Sequence, residues 1–341
     1  MKISFVRIAV VLLTAITLFS CKKEKLDSVA AAKEKGKIPE IQNPVVENNR
    51  MVFSSHDAFY KFVDAIDNND PAVSEKLERL QGFTSLYNRI KTYDLSEEEL
   101  PASLNSYLEF GLPESFQRVL NAEGEVIIGD QLVWYNNSYK YFINKAESGK
   151  LQSIKENPDA SDVRKTKVGK ELTPVNFKNA DQARVWMGLA NGPDARHQRE
   201  FWQNAPSAGN RKYVHEIQAY TDSYFDGIFY QWNSRVILRI KMEWRGKKWK
   251  PAGETRQISY NLTSSNVFYG PPFGYLIPAN TTFTDNVTQS GDVSRMVAQA
   301  AGSGTFGSGS GWSIELSGTI YQHVVGDVQS NEWYNTGNPL W

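Results

Sequence analysis

Several sets of residues in this 341-residue chain have types and spacings from which chemistry can be built. Gly302-Ser303-Gly304-Thr305-Phe306-Gly307 matches the G-x-G-x-x-G pattern of dinucleotide-binding turns letter for letter. That turn cradles phosphate only where a strand precedes it and a helix N-terminus follows. Here Trp312-Ser313-Ile314-Glu315-Leu316 follows with strand alternation, and Gly309 and Gly311 extend the glycines. The stretch is therefore expected as a flexible loop that binds no nucleotide. The histidines are His56, His197, His215 and His323, no two at metal-ligand spacing, and Cys21 is the sole cysteine. Neither a metal site nor a cofactor is expected. Ser96 precedes Glu97-Glu98-Glu99, which reads as the solvated first turn of a helix, since adjacent helical residues point apart. No G-x-S-x-G elbow occurs, and no residue is assigned a catalytic role. A glycosidase needs only two carboxylates brought together in space, so a glycan-directed cell-envelope hydrolase stays open beside a non-enzymatic binding role.

The aromatic residues give a positive signal. Tyr269, Phe273 and Tyr275 surround Gly270-Pro271-Pro272 and Gly274, a composition that disfavours regular strand pairing. These rings are expected on a loop, as the candidate binding surface for a glycan, a peptide or an envelope protein. The competing expectation is that the loop folds back and caps a core. Trp232, Trp244 and Trp249 are expected as core or cross-strand partners.

The N-terminus speaks to location. Lys2 and Arg7 precede an uncharged, largely apolar run from Ile8 to Leu18, too short to span a bilayer as a permanent helix. Leu18-Phe19-Ser20-Cys21 resembles the lipobox of bacterial lipoproteins, with Phe19 in place of the small or branched residue commonest there. The resemblance implies removal of residues 1–20 and lipidation of Cys21, which attaches the protein to the outer membrane. Lys22-Lys23-Glu24 resembles in part the charged signal that sends Bacteroidota lipoproteins to the cell surface, and Asp27-Ser28-Val29 resembles the O-glycosylation motif of that phylum. A periplasmic or a surface-exposed face is implied, with the surface favoured.

The formal net charge of +0 offers no basic face to nucleic acid. A composition of 40% hydrophobic and 12% aromatic residues fits a folded body. No apolar run after Cys21 reaches membrane-spanning length. With its one thiol acylated, the chain has none left for disulfides.

The elements that would hold any site fall into blocks. Residues 21–52 are polar, charged and proline-containing, and are expected as a disordered tether. Residues 53–144 carry helices at 3.6-residue spacing (Phe59, Phe62, Val63 and Ile66; Val73, Leu77 and Leu80; Leu86, Ile90 and Tyr93), then a meander of Val126–Ile128, Leu132–Tyr135 and Tyr139–Ile143. Residues 145–211 are expected as a linker region with a short helix at Ala180–Ala190. Residues 212–341 are β-rich, and in Val236, Leu238, Ile240, Met242 and Trp244 the apolar residues alternate with Arg235, Arg239, Lys241 and Glu243. That alternation predicts a strand buried on one face and wet on the other. The fold class expected is α+β, a small helical domain with a β-meander followed by an antiparallel β-sandwich-like domain. The segment Leu120–Asp130 resembles a group of Bacteroidota lipoproteins for which no activity is known. The similarity covers about residues 53–143 and, more faintly, the strands after 212; it implies class and location alone.

Overall fold

Short polar side chains fix where the first helices begin. Ser55 is extended, and its side chain accepts from the Ala58 amide to start α1 (His56–Asp67). Asp70 accepts from the Ala72 amide and places Pro71 at the first position of α2 (Pro71–Glu78). Next come α3 (Leu86–Ser96), α4 (Ala102–Glu109) and α5 (Glu114–Val119). The computed structural model describes residues 44–96, 98–109, 111–136, 139–160, 163–167, 184–188, 196–202, 211–246, 249–270, 275–278, 280–304, 311–327 and 333–335. Cys21, the expected signal segment at 1–20 and Phe273 lie outside them.

The helices cover one face of a first sheet. Its strands run in the order β1 (Val45–Glu47), β2 (Arg50–Phe53), β3 (Glu125–Ile128), β4 (Gln131–Asn136), β5 (Tyr139–Asn144) and β6 (Lys165–Lys167). Neighbours are antiparallel except β2 and β3. Side chains alternate across the sheet. Val126, Ile128, Val133, Tyr135 and Phe142 meet Phe59, Phe62 and Phe116 from the helices. Ile127, Leu132, Trp134, Tyr141 and Ile143 meet Leu151 of α6 (Leu151–Glu156) on the other side.

Two further sheets form a sandwich. The second has β9 (Arg211–Phe225) between β8 (Arg196–Trp202) and β10 (Tyr230–Arg245), with β11 (Trp249–Pro251) and β15 (Val293–Ser303) on the far edge of β10. The third is centred on β12 (Thr255–Gly270) and β16 (Gly311–Val324). On one side lie β13 (Tyr275–Pro278) and β14 (Thr281–Ser290), on the other β7 (Arg184–Gly188) and β17 (Trp333–Asn335). Ile217, Val236, Leu238 and Ile240 from the second sheet interdigitate with Ile258, Leu262, Phe268, Trp312, Ile314 and Leu316 from the third. Each fully buried aliphatic or aromatic side chain contributes roughly 1.5–3 kcal/mol. Among the described residues strand (52%) outweighs helix (25%), and the class is α+β as the periodicities predict. All described residues fall within one compact unit, Ile41–Trp341.

Several elements differ from expectation. Val45–Phe53, mostly within the expected tether, forms a hairpin whose turn Asn48-Asn49 has positive φ at both residues. Asparagine tolerates that conformation better than most side chains. Glu98 and Glu99 follow the end of α3 and precede α4, so they open no helix. Arg184–Gly188, in the expected helix, is a strand paired with Gly311–Glu315, because an exposed edge of β16 outweighs a weak helical period. Gly302 and Ser303 end strand β15 and are not in a loop; Gly302 lies where a Cβ would come within 2.6 Å of the Trp232 ring.

The polar face of β10 is the largest correction. Arg235 is fully buried and Arg239 is 18% exposed, because the outer face of the second sheet packs on the helical layer. Arg235 pairs with Asp64 at 2.8 Å and Asp67 at 3.1 Å on α1, and Arg239 with Glu114 of α5 at 2.6 Å.

Candidate functional site

Buried charge is the first place to look for chemistry. Asp222 lies on the outer face of β9 with no solvent exposure. Its carboxylate accepts from Lys140 Nζ at 3.0 Å, Tyr60 Oη at 2.8 Å and Tyr135 Oη at 3.0 Å. Three donors from α1, β4 and β5 therefore converge on one acid of the sandwich. Burial pushes the Tyr60 and Tyr135 hydroxyls well above their ordinary value, and the Asp222 charge adds to it. Burial raises Asp67 to about 6 despite Arg235 beside it. Burial also opposes ionisation of Glu114, but Arg239 and Arg118 hold it below the usual carboxylate range. Glu125 is tied to Arg50 at 2.7 Å, and Glu216 to Arg239 and Lys241. These acids are committed to cations in closed surroundings. Asp67, Glu114 and Asp222 fasten the sandwich to the helices and the first sheet, whereas Glu125 and Glu216 are paired within their own layers.

The open chemistry lies on the opposite side of the molecule. Along β12 the residues Arg256, Ile258, Tyr260, Leu262, Ser264, Asn266 and Phe268 turn inward and are buried. Gln257, Ser259, Asn261, Thr263, Ser265, Val267 and Tyr269 turn outward. On β14, Thr282, Thr284, Asn286 and Thr288 are exposed. The register aligns the outward residues in rows across β14, β12 and β16. The rows are Thr282–Thr263–Ser317, Thr284–Asn261–Thr319, Asn286–Ser259–Tyr321 and Thr288–Gln257–His323. Thr284 donates to Asn261 at 3.0 Å, and the Thr263 and Thr282 hydroxyls meet at 3.4 Å. Rows follow one another at about 6.5–7 Å along each strand and strands at about 4.8 Å. The result is an array mainly of hydroxyl and amide groups, with the His323 imidazole in its last row and Glu315 beside Ser265 in the next outward row towards Tyr269. Hydroxyl and amide groups orient a polyhydroxyl ligand by hydrogen bonds.

Tyr269 belongs to this face. It ends the outward row of β12, half-buried, and pairs with Leu276 of β13. Tyr275 pairs with Gly270. Both residues sit in a ladder, contrary to the expected loop, because the prolines fall in the connection at 271–274 and remove no donor from the pairs on either side. Phe273 lies outside the described residues, as does Cys21. Trp232 is buried, as expected of a core ring, whereas Trp244 is partly exposed beneath Lys250.

A third feature was missed in the sequence. Within the β-rich block expected over residues 212–341, Asp226–Phe229 turns β9 into β10. The Asp226-Gly227 pair is a hairpin signal that could have found it. Ile228 is 75% exposed and Phe229 59%.

Among the described residues no three histidine, cysteine, aspartate or glutamate side chains are grouped to hold a metal ion. No helix there is long and apolar enough to cross a membrane. The fold and surfaces thus define a layered α+β protein with buried ionic locks and an open sheet face rich in hydroxyl and amide groups. No protein-family model matches the chain, and no curated protein does. A DUF4848 family protein from Bacteroides thetaiotaomicron aligns over 85% of this chain and 97% of its own, at 11% identity and a TM-score of 0.19. At that score the likeness carries no argument.

Proposed function

We propose that this protein is a non-enzymatic glycan-binding module of the cell envelope, anchored to the outer membrane by lipid at Cys21 and displayed on the cell surface. Its working surface is the open face of the third sheet, with Tyr269 at one end of it. The observation that carries the reading is the uncharged, exposed array of Gln257, Ser259, Asn261, Thr263, Thr282, Thr284, Asn286 and Thr288 in register on adjacent strands. A neutral array suits the hydroxyl groups of a neutral glycan, and a tyrosine ring at its end suits the apolar face of a sugar. The commitment of the buried acids to ion pairs favours binding over hydrolysis, since a glycosidase needs one carboxylic acid free to protonate a leaving group.

The experiment is calorimetric titration of the whole chain against neutral and anionic glycans, beside Asn261→Ala and Gln257→Ala. Each lost hydrogen bond is expected to weaken binding of a neutral glycan about five- to tenfold. A preference for anionic glycans, or equal affinity in both variants, would count against the open face as the site.

A further inference from the structure

We propose that the β9–β10 turn is a membrane wedge that seats the folded body on the bilayer surface. The turn is built to hold two apolar side chains outward. The Asp226 carboxylate accepts from the Ile228 and Phe229 amides, both at 2.8 Å, and from Gln231 Nε2 at 2.7 Å. The Asp226 amide donates to the Phe229 carbonyl at 3.1 Å. Gly227 has φ +110°, in the range that favours glycine. The amides of Ile228 and Phe229 and the Phe229 carbonyl are thus bonded within the protein, which lowers the cost of bringing the turn into a medium without water.

Chemistry is also graded with height. Ile228 and Phe229 at the tip carry no polar side-chain atom. Below them the ring of Tyr230, partly exposed, packs on Phe225 at 5.2 Å. At the base the Arg164 guanidinium lies 4.9 Å from the Phe225 ring and donates to the Phe225 carbonyl. Apolar tip, amphipathic tyrosine and cation follow the order of acyl chain, interface and phosphate in a bilayer leaflet. A tip without directional groups suits a fluid apolar phase better than a shaped protein pocket, which reads hydrogen bonds at its rim.

Below the tip, the strand is pinned by the Asp222 carboxylate four residues before Asp226, with Tyr224 between them stacked on His56 at 3.7 Å. The wedge therefore transmits its position to the body as a rigid element. Its seating adds to the lipid anchor of the proposed function and rests on that reading only for delivery to the membrane. About twenty-four residues separate Cys21 from Val45, enough for the body to lie on the surface at up to about 80 Å from the anchor.

The test places a nitroxide on the full, acylated chain as Ile228→Cys, in phosphatidylethanolamine vesicles, with Thr284→Cys as the control on the open face. Acylated Cys21 leaves the new thiol as the sole target. Collision broadening by oxygen is expected to exceed that by a polar nickel chelate at position 228 and to fall below it at position 284. Water-like accessibility at 228 overturns the proposal, and so does shielding from both reagents, which would mean a protein contact. Should the chain prove unacylated, Ile228→Cys is labelled in the Cys21→Ser chain and read after vesicles are added; a tip that then stays in water overturns the wedge, and an immersed tip supports it while the anchor alone fails. Phe229→Ser is expected to lower the oxygen preference at position 228 at least about threefold, with the fold unchanged by circular dichroism.

Discussion

Lys140 Nζ and the Asp222 carboxylate lie 82 residues apart in sequence and 3.0 Å apart in the fold, both wholly buried. A pair in that setting joins two layers and tolerates no half-removal. Taking away one partner leaves the other charge in a dry interior, at a cost of about 3–5 kcal/mol. Asp222→Asn and Lys140→Met are each expected to lower the urea midpoint steeply. The double variant Lys140→Met with Asp222→Asn, whose amide oxygen still accepts from Tyr60 and Tyr135, is expected to recover much of that loss. Additive losses in the double variant would mean that the two charges do not act as a pair.

His56 gives the structure an acid limit. Burial, helped by the charges of Lys140 and Arg164, holds its imidazole down at about 2, against 6.5 when unfolded. The unfolded chain takes up a proton below about 6.5 and the folded chain does not, so this contribution is intact above that pH and is lost as pH falls. Between pH 7 and pH 5 the loss amounts to about 2 kcal/mol. His56→Phe keeps a ring against Tyr224 and is expected to flatten that part of the slope in urea titrations. An identical slope in the variant would refute the assignment.

Gly302 tests the glycine motif. A Cβ there would come within 2.6 Å of the Trp232 ring. Gly302→Ala is expected to destabilise by about 1–3 kcal/mol through overpacking. Neither form is expected to bind ATP or NAD in equilibrium dialysis, and saturable binding by the wild type would reverse that expectation.

Tyr269 separates recognition from capping. As a half-buried ring at the end of the open array, Tyr269→Ala is expected to reduce glycan affinity while the melting temperature changes little. A loss of roughly 3–5 kcal/mol, the scale of a large aromatic removed from a core, would make it a cap.

Cys21 tests the anchor. Cys21→Ala is expected to move the protein from the membrane fraction to the soluble fraction, since more than one acyl chain is needed for a stable hold. Unchanged partition would exclude lipidation as the attachment.

Much of the framework was legible because it depends on near neighbours. The 3.6-residue spacing of Phe59, Phe62 and Val63, the caps at Ser55 and Asp70, and the two-residue period of Val236 to Met242 each follow from backbone geometry over a few residues. The periodicity could say that β10 has two unlike faces. It could not say what each one meets. Arg235 and Arg239 read as solvated; Arg235 is buried and Arg239 mostly so because Asp64, Asp67 and Glu114, more than a hundred residues earlier in the chain, lie across the layer boundary. The candidate site divides the same way. Tyr269 was visible as an aromatic beside proline, but the array it terminates forms only when β14 and β16 align their outward residues on either side of β12. Local sequence determines where a strand runs and how its side chains alternate, since those are torsional preferences of single residues. Which face is wet, and which polar groups stand side by side, is decided by long-range packing, because a side chain's surroundings are supplied by residues distant in the chain.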